Sequence, residues 1–197
     1  MRIISNPVTP FWTHLEGDVR PGLTIYVTGH IPHHSDRFEI NLVEGSDTGH
    51  HAAHHSSIAL HVNPRVHEDY VVLNSRHHKS WGSEERHTHT HQLHRGNNFS
   101  IAIHVEHEYY RVEVNGVPLA YFHHRMPYQC VGALFIDGDV DIHNVEIKHG
   151  GGGYGGEGMP YVVGGGDESY IPGQYVESHH HHHDSHHHHH HHGHHDY

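Results

Sequence analysis

The sequence predicts an antiparallel β-sandwich, and three observations lead to this prediction. Short segments with alternating apolar and polar residues recur along residues 1–149. Turn dipeptides that contain glycine follow several of these segments. No segment sustains the 3.6-residue apolar period of a helix over a dozen residues. Many short strands at turn-marked spacing are typical of two antiparallel sheets packed face to face.

Strand periodicity, in which every second residue is apolar, defines the elements in order. The segments with this pattern are residues 23–27, 38–42, 58–62, 99–105 and 110–114. Asn115-Gly116 follows the last of them and predicts a tight hairpin, because both residues tolerate a positive φ. Glu44-Gly45 and Asp137-Gly138 mark two further turns.

The composition divides the chain into a folded domain over residues 1–149, a Gly/Tyr/Pro-rich linker over 150–177 and a histidine-rich tail over 178–197. The linker holds 11 of the 22 glycines, and such a segment buries too little apolar surface to offset its ordering entropy. The tail contains 14 histidines in 20 residues. We interpret it as native rather than a purification tag, because other residues interrupt it and because 22 more histidines lie elsewhere.

Charge and cysteine content argue against several classes of protein. The formal net charge is −12 with neutral histidines, which argues against a nucleic-acid partner. Protonation of all 36 histidines would take this charge to +24, so we expect a strong response between about pH 7 and 5.5. Cys130 is the single cysteine and predicts no intrachain disulfide. The sequence has neither an apolar run for membrane insertion nor the pattern of a secretory signal.

Seven polar or aromatic residues between positions 61 and 86 are spaced as on strands. They are His61, Asn63, Arg65, Asn74, Trp81, Glu84 and Arg86. Residues two apart on a strand share one face, so the first three lie together, while Ile58, Leu60 and Val62 point into the core. A patch of hydrogen-bonding groups beside an indole indicates a sugar-binding surface. The alternative interpretation is an ordinary charged, solvated sheet face.

The strings that carry these residues resemble those of the galectins, the β-galactoside-binding lectins. The string 61–65 reads HVNPR and the string 81–86 reads WGSEER, with Asn74 between them. The likeness extends over nearly all of residues 1–149, and it includes Asn6-Pro7 near the start and the string LFIDGD at 134–139. The resemblance implies a galectin-type jelly roll of two antiparallel sheets, with sugar lying across the concave one.

The resemblance also implies a role for each residue of the patch. His61, Asn63 and Arg65 would hydrogen-bond the axial 4-hydroxyl of galactose, and Trp81 would stack on the apolar face of the ring. A site with donors and acceptors aimed at one hydroxyl rejects the epimer that lacks it, because its own groups are then left unpaired.

The three remaining residues would bind the rest of a disaccharide. Asn74 and Glu84 would take the 6-hydroxyl, and Arg86 with Glu84 would reach the second sugar. No serine or cysteine nucleophile accompanies the patch. We therefore expect a protein that is not an enzyme.

Histidines outside the patch predict binding of Zn²⁺, Cu²⁺ or Ni²⁺, although no cofactor is required. His87, His89 and His91 lie two apart, so we expect their imidazoles on one strand face about 7 Å apart, which suits bridging between molecules. A histidine-rich tail can gather imidazoles around an ion in many arrangements. The candidate ligands in the tail are His179, His180, His181, His182, His183, His186, His187 and His188.

These observations favour a non-catalytic β-galactoside-binding lectin whose partners are galactose-containing glycans or glycoproteins. Self-association through the tail and metal- or pH-responsive histidines would make it multivalent. Two alternatives remain open: a histidine-rich structural or adhesive protein with metal-mediated cross-links on a galectin scaffold, and a metal or haem scavenger. By resemblance, we expect a cytoplasmic protein, an extracellular one exported by a non-classical route, or both.

Overall fold

The computed structural model describes residues 1–45 and 55–150, which belong to a compact unit over Met1–Tyr154. The described part of the chain consists mainly of short strands, with a 3₁₀ turn at Tyr128–Cys130. The strands are β1 (Arg2–Ser5), β2 (Phe11–His14), β3 (Leu23–His30), β4 (Phe38–Glu44), β5 (Ile58–Arg65), β6 (Tyr70–His77), β7 (Ser80–Trp81), β8 (Glu85–His87), β9 (Asn98–Val105), β10 (Tyr109–Val114), β11 (Val117–His123), β12 (Val131–Gly138) and β13 (Asp141–His149).

The strands form two sheets, and neighbouring strands pair antiparallel. The six-stranded sheet has the order β1-β13-β3-β9-β10-β11. The seven-stranded sheet has the order β2-β12-β4-β5-β6-β7, and β8 also pairs with β6. The predicted all-β antiparallel sandwich is therefore confirmed. Within the described ranges, no helix has the length and apolar character that crossing a membrane requires.

The core lies between the sheets and follows the predicted alternation. In β3, Leu23, Ile25 and Val27 are at most 1% exposed, and they belong to the same apolar cluster as Leu60 and Val62 of β5. Each fully buried aliphatic side chain contributes about 1.5–3 kcal/mol relative to an exposed one. This buried layer holds β4, β5 and β6 in place, so that their alternate residues lie on the outer face of the seven-stranded sheet.

The hairpin between β10 and β11 has the geometry that its dipeptide predicts. Asn115 has φ 50° and Gly116 has φ 77°. The Asn115 side chain also accepts a hydrogen bond from the backbone N–H of Ser100, at 2.8 Å. Positive φ at both central positions matches the twist of the two strands, and Asn and Gly both tolerate it, so the dipeptide predicts the turn.

A bulge at the start of β5 changes the prediction for one residue. Val43 pairs with Ile58, while Leu42 pairs with Leu60, so Ala59 is an extra residue on β5. Ile58 is 5% exposed, but Ala59 rather than Ile58 belongs to the main core cluster. Ile58 is therefore buried, as expected, but it lies outside the main core cluster that holds Leu60, because the extra residue reverses the alternation at this end of the strand.

Candidate functional site

Three buried polar residues form a row across the outer face of the seven-stranded sheet. Asn41 on β4 pairs with His61 on β5, and His61 pairs with Asn74 on β6. The three are 0%, 8% and 3% exposed, respectively. Residues directly opposite on neighbouring strands share a face and lie close enough to interact. The antiparallel register therefore brings together residues that are far apart in the chain.

A second row runs beside the first. Asn63 on β5 pairs with Val72 on β6, and Val72 pairs with Arg86 on β8. At the end of β5, Arg65 pairs with Tyr70. The two rows and the Arg65 pair together place five of the seven residues singled out in the sequence on one surface of β5, β6 and β8.

These rows border a groove of about 470 Å³, a volume within the usual range for small-ligand sites. Six of the seven residues singled out in the sequence line the groove, and the seventh, Arg86, forms an ion pair with Glu84, one of the lining residues. The groove is lined by Arg37, Glu39, His61, Asn63, Arg65, Val72, Asn74, Trp81, Gly82 and Glu84.

The protonation of His61 is determined by its buried neighbours. Its Nδ1 lies 2.6 Å from Oδ1 of Asn41, and Nδ2 of Asn41 donates to a carboxylate oxygen of Glu39 at 3.1 Å. The carboxylate fixes the Asn41 amide with its oxygen toward the imidazole, so the proton lies on Nδ1 of His61. Nε2 is then left as a hydrogen-bond acceptor for a ligand.

Electrostatics keeps this imidazole neutral. Burial first, and then the charges of Arg65 and Arg76, lower the pKa of His61 from 6.5 to about 4. Glu84 acts in the opposite direction but more weakly. At neutral pH the ring therefore carries one proton and presents its unprotonated nitrogen.

Asn63 and Arg65 are held by a chain of hydrogen bonds. Asn63 donates to the backbone carbonyl of Phe38 at 2.6 Å, and its side-chain oxygen accepts from Nε of Arg65 at 3.2 Å. Nη1 of Arg65 donates to the Tyr70 hydroxyl at 3.1 Å, and Nη2 donates to Glu84 at 3.1 Å. The guanidinium is thus fixed beside His61, with its charge directed at the groove.

Glu84 bridges two arginines at the rim. Arg86 donates to one of its oxygens from Nε at 3.0 Å and from Nη2 at 2.8 Å, and Arg65 donates to the other oxygen. These pairs, with Arg86 first, lower the pKa of Glu84. Cζ of Arg86 also lies 5.1 Å from the centre of the Tyr70 ring. The carboxylate remains ionised and held in one orientation at neutral pH.

The two tryptophans lie in different environments. Trp81 on β7 is 49% exposed, and its ring centre is 4.8 Å from that of His61. Trp12 on β2 stacks on Phe135 of β12 with ring centres 4.2 Å apart. Trp81 therefore offers a flat apolar surface at the groove, while Trp12 packs against its own sheet.

Several residues that shape the groove were not predicted from the sequence. Asn41 and Glu39 carried a signal, because they alternate with apolar residues on a predicted strand, but the neighbour of that strand was not known. Arg125 carried no local signal: its guanidinium donates to Asn74 at 3.0 Å across 51 positions of sequence. Such a contact depends on the tertiary fold alone.

The structure contradicts part of the prediction for the histidines that follow Arg86. β8 ends at His87, His89 lies outside any strand, and His91 lies in a turn with φ 49°. The three imidazoles therefore do not share a strand face, because the turn at His91 ends the extended backbone that two-residue spacing requires. Among residues 1–45 and 55–150, no group of three His, Cys, Asp or Glu side chains is placed to hold a metal. The tail histidines proposed as ligands lie outside the described residues.

Comparison with known proteins identifies the family. The family model for galactoside-binding lectins matches residues 10–147. Galectin-4 of Bos taurus is 35% identical over 143 residues, which cover 72% of this chain and 41% of that protein. The probable galaptin lec-8 of Caenorhabditis elegans is 33% identical over 150 residues, which cover 75% of this chain and 77% of that protein. The chain belongs to the galactoside-binding lectin family.

A solved structure agrees with this assignment. The galectin LEC-6 of Caenorhabditis elegans superposes with a TM-score of 0.65 at 26% identity, covering 75% of this chain and 96% of that one. The chain spans less than half the length of the mammalian galectin-4 proteins that it matches. The expectation of a lectin rather than an enzyme agrees with membership of this family.

Proposed function

We propose that this protein is a non-catalytic lectin that binds β-galactosides in the groove on its seven-stranded sheet. One observation supports the proposal most strongly: an acceptor, Nε2 of His61, lies beside the donor groups of Asn63 and Arg65 and close to an exposed indole. A sugar hydroxyl both donates and accepts, so this pairing suits a hydroxyl that projects between the groups.

The axial 4-hydroxyl of galactose is the group that fits this pairing. It donates to Nε2 of His61 and accepts from Arg65 and Asn63, while Trp81 covers the apolar C–H face that the axial hydroxyl leaves on the ring. In glucose the 4-hydroxyl is equatorial, so the buried polar groups of the site would have no hydrogen-bond partner. An unpaired buried donor or acceptor costs about 1–3 kcal/mol.

The rest of the groove accommodates the 6-hydroxyl and a second sugar. Asn74 uses one hydrogen of Nδ2 to bind the carbonyl of Gly82, at 2.9 Å, and has the second for the 6-hydroxyl. Glu84 accepts from the same hydroxyl, and Arg86 extends past Glu84 to the neighbouring residue of the disaccharide. Such a polar groove gives a modest affinity, with a Kd of about 10–1000 μM, or about 4–7 kcal/mol.

Lactose and cellobiose provide the sharpest test, because they differ only in the configuration of one 4-hydroxyl. Isothermal titration of the full chain should show saturable binding of lactose and no measurable binding of cellobiose at the same concentrations. Equal affinities for the two sugars would contradict the proposal.

We also propose that the protein becomes multivalent through its linker and tail. The linker and tail have the composition of a self-associating segment, with 14 histidines in residues 178–197. Self-association raises the effective concentration of weak sugar sites, and metal ions or protonation of the histidines would regulate it. We place the protein in the cytosol, outside the cell after non-classical export, or in both.

Light scattering distinguishes a multivalent lectin from the structural protein with metal-mediated cross-links. The full chain is mixed with a galactose-terminated glycoprotein at pH 7.5 and 5.5, with Zn²⁺ or with a chelator. Glycan-dependent assemblies that respond to Zn²⁺ or pH support a multivalent lectin. Zn²⁺-dependent gelation without glycan supports the structural alternative instead, and monomers in every condition contradict both.

A further inference from the structure

Arg125, between β11 and β12, connects one end of the sandwich to the rim of the groove. Its Nη1 donates to Oδ1 of Asn74 at 3.0 Å and to the backbone carbonyl of Ser83 at 2.9 Å. Its Nη2 donates to the carboxylate of Glu85 at 3.1 Å. The guanidinium also lies over the ring of Phe122, which is fully buried, at 4.5 Å from Cζ to the ring centre. These contacts hold the group from several sides.

Arg125 and two backbone groups together hold the Asn74 amide in one orientation. Oδ1 of Asn74 accepts from Arg125 and from the backbone N–H of Ser75, at 2.8 Å, while Nδ2 donates to the carbonyl of Gly82. Rotation of the amide by 180° would bring its NH₂ group against two donors and its oxygen against an acceptor. The amide therefore has one orientation, and it offers an N–H to the groove.

The same guanidinium explains the glycine that follows Trp81. A Cβ at Gly82 would lie 2.8 Å from Nη1 of Arg125 and 3.2 Å from Oδ1 of Asn74. Gly82 is not among the residues with positive φ. The glycine therefore leaves space for the guanidinium and does not serve a special backbone conformation, because a side chain there would force the guanidinium to shift.

We propose that Arg125 is a positioning residue for sugar recognition, which fixes Asn74 as a donor to the 6-hydroxyl and anchors the segment between Trp81 and Glu85. The inference rests on the proposed function and extends it to a residue that does not line the groove. A charged donor to a side-chain amide and to a backbone carbonyl is roughly twice as strong as a neutral one, so its loss frees both the amide and the segment.

The test compares lactose with its 6′-deoxy analogue in matched variants. R125M keeps the aliphatic stem without the donors, and R125K keeps the charge. R111M is the control, because Arg111 lies on the opposite sheet and is exposed to the same extent, 29% for both side chains. We expect the parent and R111M to prefer lactose by about tenfold, the equivalent of one lost hydrogen bond. In R125M this preference should fall below about threefold, with partial recovery in R125K.

A general loss of stability would weaken the binding of both sugars equally and leave the ratio of their affinities unchanged. An unchanged affinity ratio in R125M therefore overturns the inference. G82A provides a second route, since it displaces the guanidinium without removing it. G82A should reduce the affinity ratio when introduced into the parent, and it should have little further effect when combined with R125M. If R125M does not fold, R125K and G82A give the same measurement.

Hydrogen exchange distinguishes failure of this inference from failure of the proposed function. Mass spectrometry of the full chain without sugar should show faster amide exchange over residues 74–86 in R125M, but not in R111M. A parent that binds neither sugar contradicts the proposed function alone. Unchanged exchange in R125M contradicts the positioning role, whatever the protein binds.

Discussion

Oδ1 of Asn41 lies 2.6 Å from Nδ1 of His61, and both residues are buried on the outer face of the seven-stranded sheet. The amide is oriented in turn by the carboxylate of Glu39, at 3.1 Å. This relay leaves Nε2 of His61 as an acceptor at the groove. A carboxylate in place of the amide would change the charge state of the imidazole ring.

Asn41→Asp should make sugar binding depend on pH. A carboxylate beside Nδ1 raises the pKa of His61, so Nε2 becomes protonated at a higher pH and stops accepting from the 4-hydroxyl. We expect lactose affinity to fall severalfold from pH 7.5 to 5.5 in this variant and to stay constant in the parent, as titration calorimetry would measure. Asn144→Asp, on the other sheet, controls for the charge change. A constant affinity in Asn41→Asp would contradict the assigned tautomer.

His61 should also make folding stability depend on pH. Its pKa is about 4 in the folded protein and 6.5 ordinarily, so the unfolded chain binds a proton over this range and the folded chain does not. The free energy of unfolding therefore decreases as pH falls from about 6.5 to 4, by at most about 3 kcal/mol.

His61→Gln isolates this contribution, because all the other histidines are present in both proteins. Urea denaturation at pH 7, 6, 5 and 4.5 should show that the parent loses stability faster than the variant. A constant difference between the two proteins would mean that the pKa of His61 is close to its ordinary value.

Arg65→Ala should abolish most of the affinity for lactose. Arg65 donates to Asn63, to Tyr70 and to Glu84, so its removal takes away a ligand donor and frees the groups that it orients. We expect at least a 30-fold weaker Kd, roughly 2 kcal/mol, and a change in the free energy of unfolding within about 1 kcal/mol.

Arg95→Ala is the matched control for this substitution. Like Arg65, Arg95 donates to a carboxylate, that of Asp36, and it also donates to the backbone carbonyl of Ser35, but it does not line the groove. The lactose affinity of the Arg95→Ala variant should equal that of the parent within about twofold. A similar loss of affinity in both variants would show that the effect of Arg65 is indirect.

The two tryptophans should respond differently to sugar. Trp81 is 49% exposed at the groove, and Trp12 stacks on Phe135, so lactose should change the emission of Trp81 alone. We expect the fluorescence change to persist in W12F and to disappear in W81F. W81A should weaken lactose binding at least tenfold, about 1.4 kcal/mol, with little change in thermal stability because half of the ring is already exposed. A response lost in W12F would place the sugar elsewhere.

Much of the fold follows from local sequence. The alternation in 58–62 predicted that Leu60 and Val62 lie in the core, and Asn115-Gly116 predicted the hairpin. These features are readable because a two-residue period and a positive φ are local properties of the chain. The position of Ile58 outside the main core cluster could not be predicted, because the bulge at Ala59 is defined by pairing with β4, which the sequence of β5 does not contain.

By itself, the sequence predicted five of the strands, β3, β4, β5, β9 and β10, together with the family resemblance and a set of polar residues on one face. Spacing along a strand fixes which side chains point together. Only the tertiary structure decided that Asn41 supports His61, that Arg125 reaches Asn74, and that the histidines after Arg86 separate at a turn. The physical reason is that hydrogen bonds and burial depend on which strands and loops become neighbours. That choice is made by packing of the two sheets and not by any single segment.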